Sequence, residues 1–299
     1  MSKSTLILGN CIAEMQHIEQ NSIHAIISDI PYGIGYADWD VLHDNKNSAY
    51  GKSSPSQESM SALFKRRGKP LNGWSEQDKN ISLEYQQWCK TFASEFFRLL
   101  KPGASCLIFA GRRYAHRCIT AMENSGFTFK DMLAWEKNKA PQRAQHISEV
   151  YKRRKDYGNA EKWDGWRVAN PKPIFEPILW FQKPYKIGGT LADNILENGV
   201  GAWNEESFLT YNKEEYGNCI SNLVKVDYEK TDFGLHPTQK PVRLMEFLVS
   251  LVTKEEQVVL DPFMGSGTTG VACKILNRDF IGIEANEDYH DIAKSRIKD

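Results

Sequence analysis

The stretch Ser28-Asp29-Ile30-Pro31-Tyr32-Gly33 collects a carboxylate, a proline and an aromatic within a few residues. It follows Ile23-His24-Ala25-Ile26-Ile27, an isoleucine-rich run that reads as a buried parallel strand. These groups therefore fall where a strand ends and a loop opens, the edge at which open α/β sheets bind ligands. Pro31 restricts Ile30 to extended backbone, which keeps the Ile30 carbonyl out of a helix and available as an acceptor. Asp29 adds a second acceptor and Tyr32 a flat face. Two acceptors beside a stacking platform suit a planar amine, such as the exocyclic amino group of a nucleobase. Taken alone, Asp and Pro after a strand read more readily as an ordinary turn.

A second pattern lies near the other end. Gln257-Val258-Val259-Leu260 reads as a strand, followed by Asp261-Pro262-Phe263-Met264-Gly265-Ser266-Gly267-Thr268-Thr269-Gly270 and a helix to about Leu276. The next strand, Phe280-Ile281-Gly282-Ile283, ends at Glu284. Glycines at 265, 267 and 270 let a backbone approach a ligand, the helix N-terminus offers amides to an anion, and Glu284 suits two ribose hydroxyls. Both a nicotinamide dinucleotide and S-adenosylmethionine fit. Against the dinucleotide, the loop leaves room for only one further strand-helix-strand unit rather than the paired halves of a dinucleotide fold.

At 299 residues the chain has length for one large domain with inserts, and its net charge of zero excludes a global field toward nucleic acid or membrane. Any basic surface is local. The six cysteines (11, 89, 106, 118, 219 and 273) form no Cys-x-x-Cys pair and no metal-ligand spacing, so no metal is expected. They read as the reduced packing residues of a cytoplasmic protein. No signal-peptide core follows Met1, and no apolar run reaches membrane-spanning length.

The elements that must position these motifs alternate strand and helix. Thr5–Leu8 is a short strand, and Ile12 to about Gln20 a helix. From 36 to 80 the sequence is polar and rich in Ser, Lys, Asn, Gly and Pro, as in a mobile loop insert, with Lys65-Arg66-Arg67 inside it. Leu83–Leu100 repeats Trp88, Phe92, Phe96 and Leu99 at helical spacing, and Lys101-Pro102-Gly103 stops it. Ser105–Ala110, Phe127–Trp135 and Ile174–Gln182 read as strands, Arg113–Ser125 and Val242–Val252 as helices. The alternation calls for a mostly parallel α/β sheet in one domain spanning 1–299. Two segments, 137–172 and 185–235, look irregular. The first holds ten basic and four acidic residues, interleaved with Tyr151, Tyr157, Trp163 and Trp166. Phosphate backbones and unstacked bases select for that mixture, although a solvated loop fits it equally well.

With these residues laid out, the chain resembles the DNA amino-methyltransferases, in the permuted group whose catalytic motif precedes the cofactor motif. The resemblance rests on Asp29-Ile30-Pro31-Tyr32 for the family's Asp-Pro-Pro-Tyr and on Asp261–Thr269 for its cofactor loop. His236-Pro237-Thr238-Gln239-Lys240-Pro241, Phe280–Glu284 and Leu100–Gly103 match in order. It implies a Rossmann-like S-adenosylmethionine-dependent methyltransferase fold, a seven-stranded sheet with one antiparallel strand, and double-stranded DNA as partner. It places the flipped base on Tyr32, its amino group between the Asp29 carboxylate and the Ile30 carbonyl. It also implies Asn10 near the cofactor adenine, Glu284 on the ribose, and Asp261, Thr238 and Lys240 around the methionine. Cys11, His236, Phe263, Gly265, Ser266, Gly267 and Thr268, with Asp29, complete the expected cofactor set. One departure is Ile30, where the family has proline. The carbonyl is retained but the fixed φ is lost.

The reaction so implied is attack by adenine N6 on the sulfonium methyl, after the base leaves the stack. Asp at position 29 resembles the adenine group, while cytosine N4 methylation uses the same geometry. C5 methylation needs a nucleophilic cysteine, and no Pro-Cys dipeptide exists. A nicotinamide oxidoreductase and a catalytically inactive DNA-binding module are the remaining alternatives. A homodimer and a cognate restriction enzyme are further partners the resemblance brings with it.

Overall fold

The structure, a computed structural model, describes residues 2–32, 76–137, 144–168, 170–211, 220–229 and 239–297. The 36–80 insert therefore lies almost wholly outside the described residues. Along the chain come β1 (Ser4–Leu8), α1 (Cys11–Met15), β2 (Ile23–Asp29), α2 (Glu76–Leu99), β3 (Leu100–Phe109), α3 (Ala115–Asn124) and β4 (Thr128–Glu136). A small module follows: β5 (Gln145–His146), α4 (Ile147–Arg153), α5 (Tyr157–Lys162) and β6 (Arg167–Val168). Then come β7 (Phe175–Gln182), α6 (Leu191–Asn198), α7 (Glu205–Tyr211) and β8 (Leu223–Val224). The chain closes with α8 (Val242–Val252), β9 (Val258–Asp261), α9 (Thr268–Ile275), β10 (Asp279–Glu284) and α10 (Glu287–Ile297).

The large sheet has the order β1-β10-β9-β2-β3-β7-β4-β8. Only β7 runs against its neighbours, pairing antiparallel with β3 and β4. The expected seven strands with one antiparallel are present, and an eighth, the two-residue β8, extends the edge beside Ala134 and Trp135. Trp135 Nε1 donates to the Val226 carbonyl at 2.8 Å and helps hold that edge.

Successive residues of a strand face opposite ways, and both faces here are buried. Ile26, Cys106 and Ile108 pack into the layer with α2 and α3, whereas Ala25, Ile27, Leu107 and Phe109 pack into the layer with α8, α9 and α10. Central β2 lies between β9 and β3, with Ala25 opposite Val259 and Ile26 opposite Leu260. His24 Nδ1 extends that contact by accepting the Val258 N–H at 3.1 Å. Burial, then the Lys101 charge, lowers the His24 pKa to about 4, so the imidazole is neutral and able to accept.

Several boundaries depart from the sequence reading. The first helix stops at Met15, because Gln16, His17 and Ile18 turn back onto carbonyls three residues earlier. Lys101-Pro102-Gly103 does not make a loop after α2: β3 begins at Leu100 and the ladder shifts register past this stretch, with Gly103 at φ +81°. The two irregular-looking segments contain short helices. In 185–235, α6 is defined by a capping box between Thr190 and Asp193 and by Gly199 in the left-handed region. In 137–172, α4 and α5 are closed off by the β5–β6 pair.

Candidate active site

Because β2 and β9 are neighbours, the two motifs meet at one sheet edge. Ser28 Oγ donates to Asp261 Oδ1 at 2.6 Å, and Thr269 Oγ1 donates to Asp261 Oδ2 at 2.6 Å. The Phe263 N–H adds a third bond at 3.2 Å. Burial pushes the Asp261 carboxyl up to about 6, against the pull of those donors. Asp261 thus borders the cleft, but both its oxygens are engaged in clamping β2, β9 and α9 together.

The cofactor-type loop is shaped by its own contacts. Glu284 accepts from the Gly265 N–H at 2.9 Å through Oε2 and from the Asn286 N–H at 2.8 Å through Oε1. That fixes the carboxylate at the end of β10 with lone pairs to spare. Gly265 has φ +51°. Gly267 and Gly270 have a different purpose from the ligand approach expected of them: a Cβ on Gly267 would lie 2.8 Å from the Ala293 Cβ, and one on Gly270 2.4 Å from Ile297 Cδ1. They admit α10, an element the sequence reading did not contain. Arg296 of that helix donates to the Ser266 carbonyl at 2.6 Å and to the Ser266 and Thr268 hydroxyls at 3.1 and 3.2 Å. Asn10 caps α1, its side chain accepting from Ile12 and Ala13.

At the other end, Tyr32 donates to Asp29 Oδ1 at 2.9 Å and also contacts Glu176 Oε1. One hydroxyl proton thus lies between two carboxylates. Lys240 contacts Asp29 Oδ2 and reaches Glu176 Oε1 at 3.2 Å and the Tyr32 oxygen at 3.3 Å. Lys137 holds Glu176 Oε2 at 2.6 Å. Burial, reinforced by Glu176, pushes the Asp29 carboxyl up despite Lys240 and Tyr32. Burial acts the same way on Glu176, but Lys240 and Lys137 outweigh it and bring that carboxyl down to about 2. For Lys240 burial is outweighed by Asp29 and Glu176, so its pKa rises and it stays charged.

Ile30 directs its side chain into the core layer under α2, with 2% of the residue exposed. Its backbone is therefore fixed by a buried side chain where the family uses a ring. Among the described residues nothing donates to its carbonyl. The Pro31 carbonyl accepts from the Tyr85 hydroxyl at 3.1 Å. Tyr32 sits directly on Gly111, where a Cβ would come within 2.9 Å of the Tyr32 Cβ.

One cleft of about 600 Å³ joins all of this. Asn10, Cys11, Asp29, Ile30, Pro31, Tyr32, Lys240, Asp261, Phe263, Gly265, Ser266, Thr268 and Glu284 border it. Gly267 is not among its walls, and His236 and Thr238 lie outside the described residues. Glu176, Tyr228, Asn286 and Tyr289 also border the cleft but belong to no motif singled out in the sequence; Gln239 stood there only within the His236–Pro241 motif, and Lys137 only as part of a basic segment. For Glu176 a signal existed: it is the one acid in the otherwise apolar run Phe175–Phe181. Burial pushes the Cys11 thiol up to about 12, so the cleft offers no thiolate nucleophile there.

A mostly parallel, doubly covered sheet with a strand-loop-helix cofactor motif beside Asp-x-Pro-Tyr defines a nucleotide-cofactor group-transfer enzyme of the α/β class. The family model described as DNA methylase, covering N6 and N4 enzymes, matches residues 23–295. The chain belongs to that family: it is a DNA methyltransferase, and S-adenosylmethionine is its methyl donor. It is 59% identical over 289 residues to the Type II methyltransferase M.HindIII of Haemophilus influenzae, covering 97% of this chain and 93% of the relative. It is 27% identical to the Type II methyltransferase M.HpaI of Haemophilus parainfluenzae, covering 98% and 73%. The fold matches the cytosine-N4-specific PvuII DNA methyltransferase with a TM-score of 0.63 at 16% identity, over 100% of this chain and 88% of the other. It matches M1.HpyAVI in complex with S-adenosylmethionine with a TM-score of 0.55 at 24% identity, over 99% of both chains. Family membership removes the nicotinamide oxidoreductase reading.

Proposed function

We propose that this protein transfers a methyl group from S-adenosylmethionine to the N6 amino group of adenine in duplex DNA, taking the base out of the stack to do so. The observation that carries this reading is the Ser28–Asp261 hydrogen bond, which holds Asp29, Ile30 and Tyr32 against the Gly265–Glu284 loop in one cleft. The residues present fit the cofactor. The cleft has the size of a small-molecule site, Glu284 offers fixed carboxylate oxygens, and the buried Gln239 amide, with neither polar atom bonded among the described residues, supplies further polar capacity.

The bound cofactor supplies an electrophilic methyl group on a positively charged sulfur. Asn10 and Glu284 would hold its nucleoside end, and Gly265, Ser266 and Thr268 its amino-acid end. The Asp29 carboxylate and the Ile30 carbonyl accept the two amino hydrogens of the target base, favouring the tetrahedral nitrogen that attack requires. The methylated amino group would be cationic, the C–S bonding pair having left with sulfur, and Asp29, whose carboxyl burial pushes up, would take its proton. Tyr32 stacks on the flipped base and offsets part of the unstacking cost of about a few kcal/mol. Apart from Lys137 and Tyr228, which border the cleft, the segments 137–172 and 185–235 would meet the DNA around it. The reading extends to a cytoplasmic enzyme acting as a homodimer beside a cognate restriction enzyme.

The test is transfer from labelled S-adenosylmethionine to mixed-sequence duplex DNA, digested to nucleosides, with Asp29→Ala alongside. N6-methyladenine from the wild type alone supports the reading. N4-methylcytosine would keep the mechanism and change the base. Cofactor binding without any methylated nucleoside would point to an inactive DNA-binding module.

A further inference from the structure

We propose that Glu176 is a positioning residue for methyl transfer: anchored by Lys137, it shares the Tyr32 and Lys240 donors with Asp29 and so leaves that carboxylate acceptor capacity for the amino group of the target base. The inference rests on the methyltransferase reading of this cleft.

Glu176 is set rigidly. It lies near the start of β7, directly opposite Trp135 of β4. Lys137, just past the end of β4, donates its N–H to the Ile174 carbonyl at 2.6 Å and its ammonium to Glu176 Oε2 at 2.6 Å. Both side chains are largely buried, 20% and 11% exposed. Oε2 is engaged by Lys137, and Oε1 meets the Tyr32 hydroxyl and Lys240. These are the same two donors that touch Asp29.

Two carboxylates thus divide two donors. An ionised carboxylate has about four lone-pair positions, so Asp29 keeps capacity for an amino hydrogen while Glu176 bears part of the load. Without the Glu176 charge, the Tyr32 proton and the whole Lys240 charge fall to Asp29. Asp29 then becomes a weaker acceptor and a weaker base, at a buried position where such charge interactions are stronger than in water. The charged and titratable groups around this cluster are Tyr32 after β2, Glu176 on β7, Lys137 after β4, Lys240 before α8, Asp261 at the end of β9, and Tyr228. Glu176 and Asp261 are the carboxylates whose charge acts alongside Asp29, and Glu176 is the one sharing its donors.

The experiment measures single-turnover methyl transfer to duplex DNA over about pH 5.5 to 9, for wild type, Glu176→Gln and Glu176→Asp, with S-adenosylmethionine affinity from calorimetry. Glu176→Gln should lower the transfer rate at least about tenfold and move the acid limb of the profile to lower pH, with cofactor affinity changed less than about threefold. Glu176→Asp, which retains the charge, should recover part of the rate. Unchanged rate and acid limb in Glu176→Gln, or a rate loss matched by equal loss of cofactor affinity with the limb unmoved, would overturn the proposal. Should Glu176→Gln not fold, Lys137→Met releases the anchor and must slow transfer in turn; full activity there overturns the proposal as well. A wild type that methylates nothing overturns the functional reading itself, whereas an active wild type with an indifferent Glu176→Gln overturns only this inference.

Discussion

Ser28 and Asp261, 233 residues apart in the chain, are joined by a buried hydrogen bond of 2.6 Å that places the Asp29–Tyr32 turn against the Asp261–Thr269 stretch. Both residues stand at the same edge of adjacent parallel strands, so the bond fixes the distance between the two motifs that the proposed reaction assigns to base and cofactor. Holding reactants in register can account for several kcal/mol of a transfer barrier. Asp261 achieves this at a cost, because its charge is buried and compensated only by hydroxyl and amide donors.

That cost gives a pH dependence with a defined sign. The folded-state pKa of Asp261, about 6, lies above the ordinary carboxylate value, so the folded chain binds an extra proton between about pH 4 and 6. The contribution of this group to stability is fully present below that window and declines as pH rises through it. Asp261→Asn, with Thr269 rotated to donate elsewhere, should remove this decline. In urea titrations without cofactor, the stability of the variant relative to wild type should rise by roughly 1–3 kcal/mol between about pH 4.5 and 7. A pH-independent difference would rule out a buried, ionising Asp261.

Asp29→Ala should abolish methyl transfer, with S-adenosylmethionine affinity nearly unchanged. The clamp that shapes the cofactor end uses Ser28, not Asp29, and Lys240 retains Glu176 as its counter-ion. Calorimetric affinity and labelled transfer read the two effects separately. A variant that loses the cofactor with the activity would place Asp29 in cofactor binding instead.

Much of the site was legible because its chemistry is local. Asp29-Ile30-Pro31-Tyr32 and Asp261–Thr269 carry their strand and turn signals within a few residues, and the α/β alternation follows from them. What was not legible is non-local. Nothing in the sequence pairs β2 with β9, so the Ser28–Asp261 clamp and the His24–Val258 contact were invisible. A glycine that admits a ligand and one that admits a helix look identical in a Gly-x-Gly-x-x-Gly pattern. Gly267 and Gly270 proved to be packing residues for α10, whose polar sequence has only Ala293 and Ile297 buried. Glu176 stood in an apolar strand with no motif around it. Short helices such as α4 and α5 span too few turns for periodicity to show.

Gly111 offers a steric test of the stacking platform. Its φ is not in the left-handed region, so alanine there costs no backbone strain, but the new Cβ would press within 2.9 Å of the Tyr32 Cβ and 3.0 Å of its Cγ. Gly111→Ala should therefore displace the Tyr32 ring and lower transfer by about tenfold or more, with thermal stability changed by no more than a few degrees. Cofactor affinity should hold, since Gly111 is not among the cleft walls. Wild-type kinetics in this variant would show that the Tyr32 position is not needed.

The α4–α5 module makes the last prediction. Lys137 and Glu176 stand at its two stems, so it projects from the cleft wall between β4 and β7. Arg153, Arg154 and Lys155 are exposed along its helical turn, and Tyr157 and Trp166 are 69% and 63% exposed nearby. A cationic surface with exposed aromatic faces in a chain of zero net charge fits a local phosphate-binding role. Replacing Arg153, Arg154 and Lys155 with glutamine should weaken duplex binding uniformly across sequences. It should also reduce the slope of log K against log salt by about 0.9 for each phosphate that is no longer neutralised. S-adenosylmethionine affinity should not move, because none of the three borders the cleft. An unchanged salt slope would mean that DNA is held elsewhere and that this module is a solvated insert.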